Sequence, residues 1–306
     1  MALTYAVRRL LQGLIVIFGA TTLVFVVSRL VGDPVGAMLP IDVSAADRER
    51  LTIQLGLDRP VPEQFVSYLW SLMRGDFGIS LWQDRPVATI IAERLPHSLL
   101  LCGVAVLLAA AIGIPAGLVA AARPNGWLDH GLSAFGLLGL SVPQFWLALI
   151  LIMVFSVGLG WLPTSGSGSA PHLVLPAIAL ALPALGRIAT VTRASMLEEL
   201  ESPHIRTALS KGVPFGSIVL RHGLRNIGVA VATIVGWELT RALAGYNIVV
   251  ETIFGWPGIG QVALQAIERS DLVLIQAVVF VIALIVVILN LIVDLLLKLI
   301  DPRIEY

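Results

Sequence analysis

Six runs of apolar residues, at 10–31, 98–122, 132–159, 173–192, 227–250 and 272–297, set the limits on what this chain can become. A helix rises 1.5 Å per residue and membrane hydrocarbon is roughly 30 Å thick, so about 20 such residues suffice for one crossing. The fold class that follows is all-α, a polytopic membrane protein with six transmembrane helices. Composition agrees: 57% of the 306 residues are hydrophobic and only 13% are charged, against roughly 25% charged in soluble domains. The fourth run is interrupted by Pro176, Pro183 and Arg187, and the fifth by Glu238 and Arg241.

The opening stretch has a basic start at Arg8 and Arg9, but its apolar run is longer than a signal peptide's and lacks a clear cleavage site. It reads as an uncleaved first span. Formal net charge is zero, so no overall basic field favours nucleic acid. The lone Cys102 excludes an intrachain disulfide or a cysteine metal site and reads as a small packing residue.

Lys and Arg in short flanks set topology. With the N-terminus in the cytoplasm, the inner side holds Arg8, Arg9, Arg123, Arg187, Arg193, Arg206, Lys211, Arg221, Arg225, Lys298 and Arg303, while the short outer loops hold only Arg269. Both termini are thus expected inside. The division is residues 1–31 as tail and first helix, 32–97 as an extracytoplasmic segment, and 98–306 as a five-helix core with a cytoplasmic loop at 193–226.

The 32–97 segment has turn signals and two helix-like stretches. Ser44 stands as an N-cap before "AADRERLTIQLGL", with Leu51 and Leu55 at helical spacing. "VPEQFVSYLWSLM" places Phe65, Leu69 and Leu72 on one side. A small helical cap with interfacial helices is expected, too short for a separate enzyme domain. "TSGSGSAP" (residues 164–171) reads as a flexible outer connection.

The most informative polar stretch is "SPHIRTALSKGVPFGSIVLRHGLRN", residues 202–226. On a helix, Ile205, Ala208 and Leu209 share a face, with Arg206 and Ser210 elsewhere. Gly212 suits a left-handed C-cap and Pro214 cannot continue the helix. A short amphipathic helix is expected, then a second helical stretch returning to the membrane. It suits a partner's groove or an anionic lipid surface, and a basic inner loop is also what any polytopic protein carries.

Beyond these residues, "RTALSKG" and "RHGLRN" resemble the loop motif of the inner-membrane permeases of ABC importers, in the dipeptide/oligopeptide/nickel branch. The motif's E-A-A triplet, its glycine and its tail correspond to Arg206-Thr207-Ala208, Gly212 and His222-Gly223-Leu224-Arg225. "VGDPV", "LGLDRPV", "GDFGIS", "GLSVPQFW", "LPAIALALP", "TRASMLE", "VVETIFGWPGIG" and "NLIVDLLLKLIDPRIEY" extend the resemblance, in order, over nearly the whole chain. It implies the type I importer architecture and a coupling helix, carried by Ile205, Arg206, Thr207, Ala208, Leu209, Lys211 and Gly212, that docks into a cytoplasmic ATPase. It implies as partners a second homologous permease, two ATPase subunits or domains and an external substrate-binding protein, in a bacterial inner membrane. Peptide, glutathione, nickel-chelate and opine-type metallophore carriers share these signatures.

Neither Lys211 nor Lys298 follows a glycine-rich phosphate loop, so ATP and Mg are expected on another polypeptide, with no cofactor or metal on this one. An intramembrane enzyme would need a metal motif, facing aspartates or a serine–histidine pair at membrane depth. His97, His130, His172, His204 and His222 instead fall at segment ends or in loops, and "GSG" at 166–168 falls in the linker. A passive channel is the other rival, and the coupling-loop pattern argues against it.

Ionisable groups within spans usually face a bundle interior or water. Glu238 and Arg241, three apart, share a face and are placed to pair. Trp237, Glu238, Arg241 and Asn247 are the expected lining of a translocation path, against the plainer reading of a self-neutralising pair. The resembling family is commonly uncharged and glycine-rich here. Asn290 and Asp294 are expected to pack against a neighbouring helix; Trp256-Pro257-Gly258 is expected to turn at the outer interface, where the resemblance places it near the external mouth and the plainer reading makes the tryptophan an interface anchor.

Overall fold

A computed structural model describes residues 2–30, 45–54 and 57–300. Its helices are α1 (Ala2–Leu30), α2 (Ala45–Gln54), α3 (Val61–Met73), α4 (Val87–Ala122), α5 (Trp127–Ser141), α6 (Gln144–Gly158), α7 (Ala170–Leu200), α8 (Pro203–Ser210), α9 (Phe215–Asn226), α10 (Gly228–Ile253), α11 (Ile259–Glu268) and α12 (Leu272–Ile300). Strands β1 (Ile79–Ser80) and β2 (Arg85–Pro86) pair antiparallel between α3 and α4. The described residues are otherwise helical or in turns and connections, as expected of the all-α class, and two-residue strands are too short to show a period of two. Ser44, Val31 and Leu55, and the tail from Asp301 with Arg303, lie outside the described residues.

The described residues form two compact units, one drawn from residues 2–97 with 257–287 and the other from 98–256 with 288–300. In the first, a core of Val87, Ile90, Ile91, Ile259, Val262 and Leu274 joins the start of α4 to α11 and α12. Asp271 is buried just before α12: one oxygen accepts the Leu274 N–H at 3.1 Å, the other the Ser80 hydroxyl at 2.6 Å. One carboxylate thereby satisfies an orphan donor of the helix start and anchors the hairpin. On α3, Leu72 is buried and Phe65 and Leu69 are half-buried, whereas Val66, Trp70 and Met73 are exposed.

In the second unit α7 is the central helix, packed by α5, α6, α8 and α10. A Cβ on Gly117 of α4 would stand 2.6 Å from the Ala189 carbonyl oxygen and 2.8 Å from Thr192 Cβ. Such close backbone approach replaces the hydrophobic drive that is missing between helices in lipid. Cys102 is fully buried in this unit. The 164–171 connection is tied rather than free, since the Gly166 N–H donates to the Phe254 carbonyl at 2.8 Å.

Among the described residues four helices are long and apolar enough to cross a membrane, within α1, α4, α7 and α12, and α9 with α10 makes a fifth, bent by 62°. Pro176 and Pro183 do not interrupt the fourth run: α7 continues through both, buried among its neighbours. Pro143, by contrast, breaks the third run into α5 and α6; lacking an N–H, it begins a helix more readily than it extends one. The fifth run widens over Ala242–Tyr246, where Gly245 takes φ 133°.

Candidate functional site

Pro203 opens α8 immediately after α7 ends, and its fixed φ suits the first helical position. The helix stops two turns later: Gly212 adopts φ 75°, its N–H donates to Leu209 O at 2.9 Å, and Val213 N–H reaches Ala208 O at 3.2 Å. A side chain at that φ is strained, which is why the stop needs glycine. Pro214 then initiates α9.

The expected shared apolar face of α8 is divided. Ile205 is 1% exposed, Ala208 is half-buried and Leu209 is 46% exposed. α8 packs on α7 and on the Ile218–Gly223 turns, and Ile205 is the residue that this packing buries fully. Leu209 therefore stands outward with Arg206, Thr207, Ser210, Lys211 and Gly212, and Phe215 and Leu220 continue the exposed apolar surface. Arg221 and Arg225 are exposed as well.

Two contacts fix this helix to the body. Glu199 Oε1 accepts from Asn226 Nδ2 at 2.7 Å and lies 2.8 Å from His204 Nε2, joining the ends of α7 and α9 to α8. Beneath it, Leu118, Ala121, Met196, Val219, Ile227 and Val231 form one buried cluster across α4, α7, α9 and α10. Asn226 closes the motif "RHGLRN" and Glu199 directly follows "TRASMLE", yet neither reveals this clamp, because its members are up to 27 residues apart.

Deeper in the unit, Glu238 does not pair with Arg241. Both its carboxylate oxygens bind Arg187 of α7, Nη2 to Oε2 at 2.7 Å and Nε to Oε1. Arg241 lies instead 3.8 Å from the centre of the Tyr246 ring, a cation–π contact. The pairing predicted at i,i+3 loses to a bidentate partner on a neighbouring helix, whose fork matches a carboxylate. Arg187, Glu238, Arg241, Tyr246 and Gln144 line one cavity of about 10 Å³, room for roughly a single water.

The other two expected path residues lie elsewhere. Trp237 is 63% exposed on the surface of α10. Asn247 is buried and donates to Glu251 Oε1 at 2.6 Å, which also accepts from Ser98 at 2.5 Å. Glu251 and Ser98 were not legible as a pair, being 153 residues apart. Thr240 donates to Asn290 at 3.3 Å, so Asn290 does pack against a neighbouring helix. Trp256 is 4% exposed, a core residue rather than an interface anchor. Toward the end of α7, Arg193 binds both oxygens of Asp129, Nη2 to Oδ2 at 2.7 Å. Arg193, with the Asn125 N–H, holds that carboxyl below the usual carboxylate range.

Known proteins resemble this chain over nearly its whole length. Residues 113–306 match the family described as binding-protein-dependent transport system inner membrane component. The oligopeptide transport system permease protein AppB of Bacillus subtilis (strain 168) is 39% identical over 314 residues, covering 99% of both chains. The glutathione transport system permease protein GsiC of Escherichia coli (strain K12) is 39% identical over 305 residues, again 99% of both. In structure, the chain resembles one from inward-facing MetNI, a methionine ABC transporter, with TM-score 0.61 and 19% identity over 71% of this chain and 98% of that one.

Proposed function

This chain belongs to the binding-protein-dependent inner-membrane permeases of ABC importers, and from that membership we propose that it carries peptide-class solutes inward by alternating access, driven through α8. As such a permease it is a transport component rather than an enzyme, and it works with an ATPase and a binding protein. In our reading two ATPase subunits or domains hold ATP and Mg, a second homologous permease completes the path, and both termini are cytoplasmic. The solute class is supported by relatives named for oligopeptides and for glutathione, itself a tripeptide. Nickel chelates and opine-type metallophores are the alternative cargo, separable by what the neighbouring binding protein retains.

One observation carries the coupling role. α8 is held at its buried end by Ile205 and the Glu199 clamp, and projects Leu209 among cations at the other. A lever needs both, a fixed end to move the spans and a free end to enter a partner's groove. Arg187, Glu238 and Arg241 are proposed to meet the charged ends of the solute when the small cavity between them opens. Leu209→Asp should leave the protein inserted and folded while abolishing solute-stimulated ATP hydrolysis by the reconstituted complex. Undiminished stimulation would count against the coupling role.

A further inference from the structure

Within the first unit, the end of α1, the inner face of α3 and the first turn of α12 enclose a cavity of about 240 Å³. Three of its lining residues present buried polar atoms that have no hydrogen-bond partner among the described residues: Arg29 Nε, Tyr68 OH and Gln64 Oε1. Gln64 gives its amide nitrogen to Arg59 O at 2.7 Å and Leu57 O at 3.2 Å, so its oxygen remains as an acceptor. Arg29 has a ring beneath it rather than a carboxylate, its guanidinium carbon 5.0 Å from the Phe25 centroid. Phe25 in turn stacks on Tyr68 at 5.6 Å and 20°. Buried polar atoms in native proteins are nearly all paired, with protein, water or a ligand, so three around one cavity mark it as a place suited to a polar guest.

The position of the cavity narrows its chemistry. Arg29 stands in the last turn of one apolar span and Leu272 opens another, so the cavity lies where hydrocarbon gives way to water. α3 has the form of an interfacial helix, with Val66, Trp70 and Met73 exposed on one side. Among lining residues the formal charges are Arg29, Arg59 and Asp76, one net positive. Leu72 and Val273 supply an apolar wall.

We propose that this cavity binds a phosphate group carrying a neighbouring hydroxyl, the glycerophosphate group, with Arg29 and Tyr68 on the phosphate and Gln64 accepting from the hydroxyl. Arg29 supplies the charge-assisted bond, and Phe25 stiffens its side chain from below. The Tyr68 phenol is a donor at neutral pH, and burial pushes its titration further up. The volume admits a headgroup but not acyl chains, which would run down the hydrocarbon face of the spans. The source is either phosphatidylglycerol or free glycerol 3-phosphate, and the site is independent of the transport reading.

Native mass spectrometry of the full chain, purified in detergent, tests this with phosphatidylglycerol, phosphatidylcholine and glycerol 3-phosphate as probes. We expect one phosphatidylglycerol retained in preference to phosphatidylcholine, with on the order of tenfold weaker retention in Arg29→Gln and partial recovery in Arg29→Lys. Tyr68→Phe, which removes one oxygen without disturbing the ring packing, should weaken it severalfold. Glycerol 3-phosphate binding as tightly as the lipid, and lost in Arg29→Gln, would uphold the site and assign a soluble source. Equal retention of both lipids with no binding of glycerol 3-phosphate, or binding unchanged in Arg29→Gln and in Tyr68→Phe, would overturn it.

Discussion

Arg187 of α7 and Glu238 of α10, 51 residues apart, form a bidentate ion pair in which the carboxylate is 3% exposed and the guanidinium 19%. Two spans are thereby joined at a point where the sequence alone pairs Glu238 with Arg241. Removing one member strands a buried charge, at a cost of roughly 3–5 kcal/mol. Arg187→Gln and Glu238→Gln should each lower the unfolding temperature of the purified protein, and the double variant should lose less than the sum. Full additivity would show that the two groups do not interact.

Glu238→Gln also changes the charge facing the small cavity, leaving Arg187 without its counterion in a lining that also holds Arg241. Uptake by the reconstituted importer should shift toward peptides with an extra carboxylate. An unchanged profile across peptides of different charge would remove Glu238 from the path.

At the base of α8, Ile205 and Leu209 should separate stability from coupling. Ile205→Ala deletes a fully buried side chain and should cost about 2–5 kcal/mol, freeing the first turn of α8 from the body. Leu209→Ala touches a surface position and should leave unfolding nearly unchanged while impairing transport. Hydrogen exchange of residues 203–210 would report the first effect, and uptake the second.

Asp129 gives a pH signature. Its carboxyl is depressed in the folded protein by Arg193 and the Asn125 N–H, so the unfolded chain takes up the proton first as pH falls. The contribution is whole above the ordinary carboxylate value of about 3.9 and is lost as pH drops through the lower folded value. Asp129→Asn should therefore flatten the acid limb of a stability–pH curve while changing its neutral limb by a constant. An identical acid limb in both proteins would contradict the pairing.

Gly117 should tolerate nothing larger. A Cβ there meets the Ala189 carbonyl, a backbone atom that cannot swing aside. Gly117→Val should push α4 off α7 and reduce the yield of folded protein, whereas the same change at Gly103, which has nothing nearby, should be mild.

The spans were legible because burial in lipid demands long apolar runs, and α8 because Gly212 and Pro214 are local stop signals. The break at Pro143 and the continuity through Pro176 and Pro183 were not. All three prolines remove one donor, and only the neighbours decide whether the helix survives. Nor were the partners of Glu238, Glu251 and Asp271, which come from 51, 153 and 191 residues away. Helical spacing reveals what shares a face, not which helix comes to meet it. Leu209 illustrates the same limit: its spacing matches Ile205, yet only Ile205 is buried.

The most direct test places a photo-crosslinking amino acid at position 209 in the assembled importer. The account predicts an adduct with the nucleotide-hydrolysing subunit, suppressed when that subunit is omitted. Adducts confined to lipid, with the subunit present and none formed to it, would contradict the role given to α8.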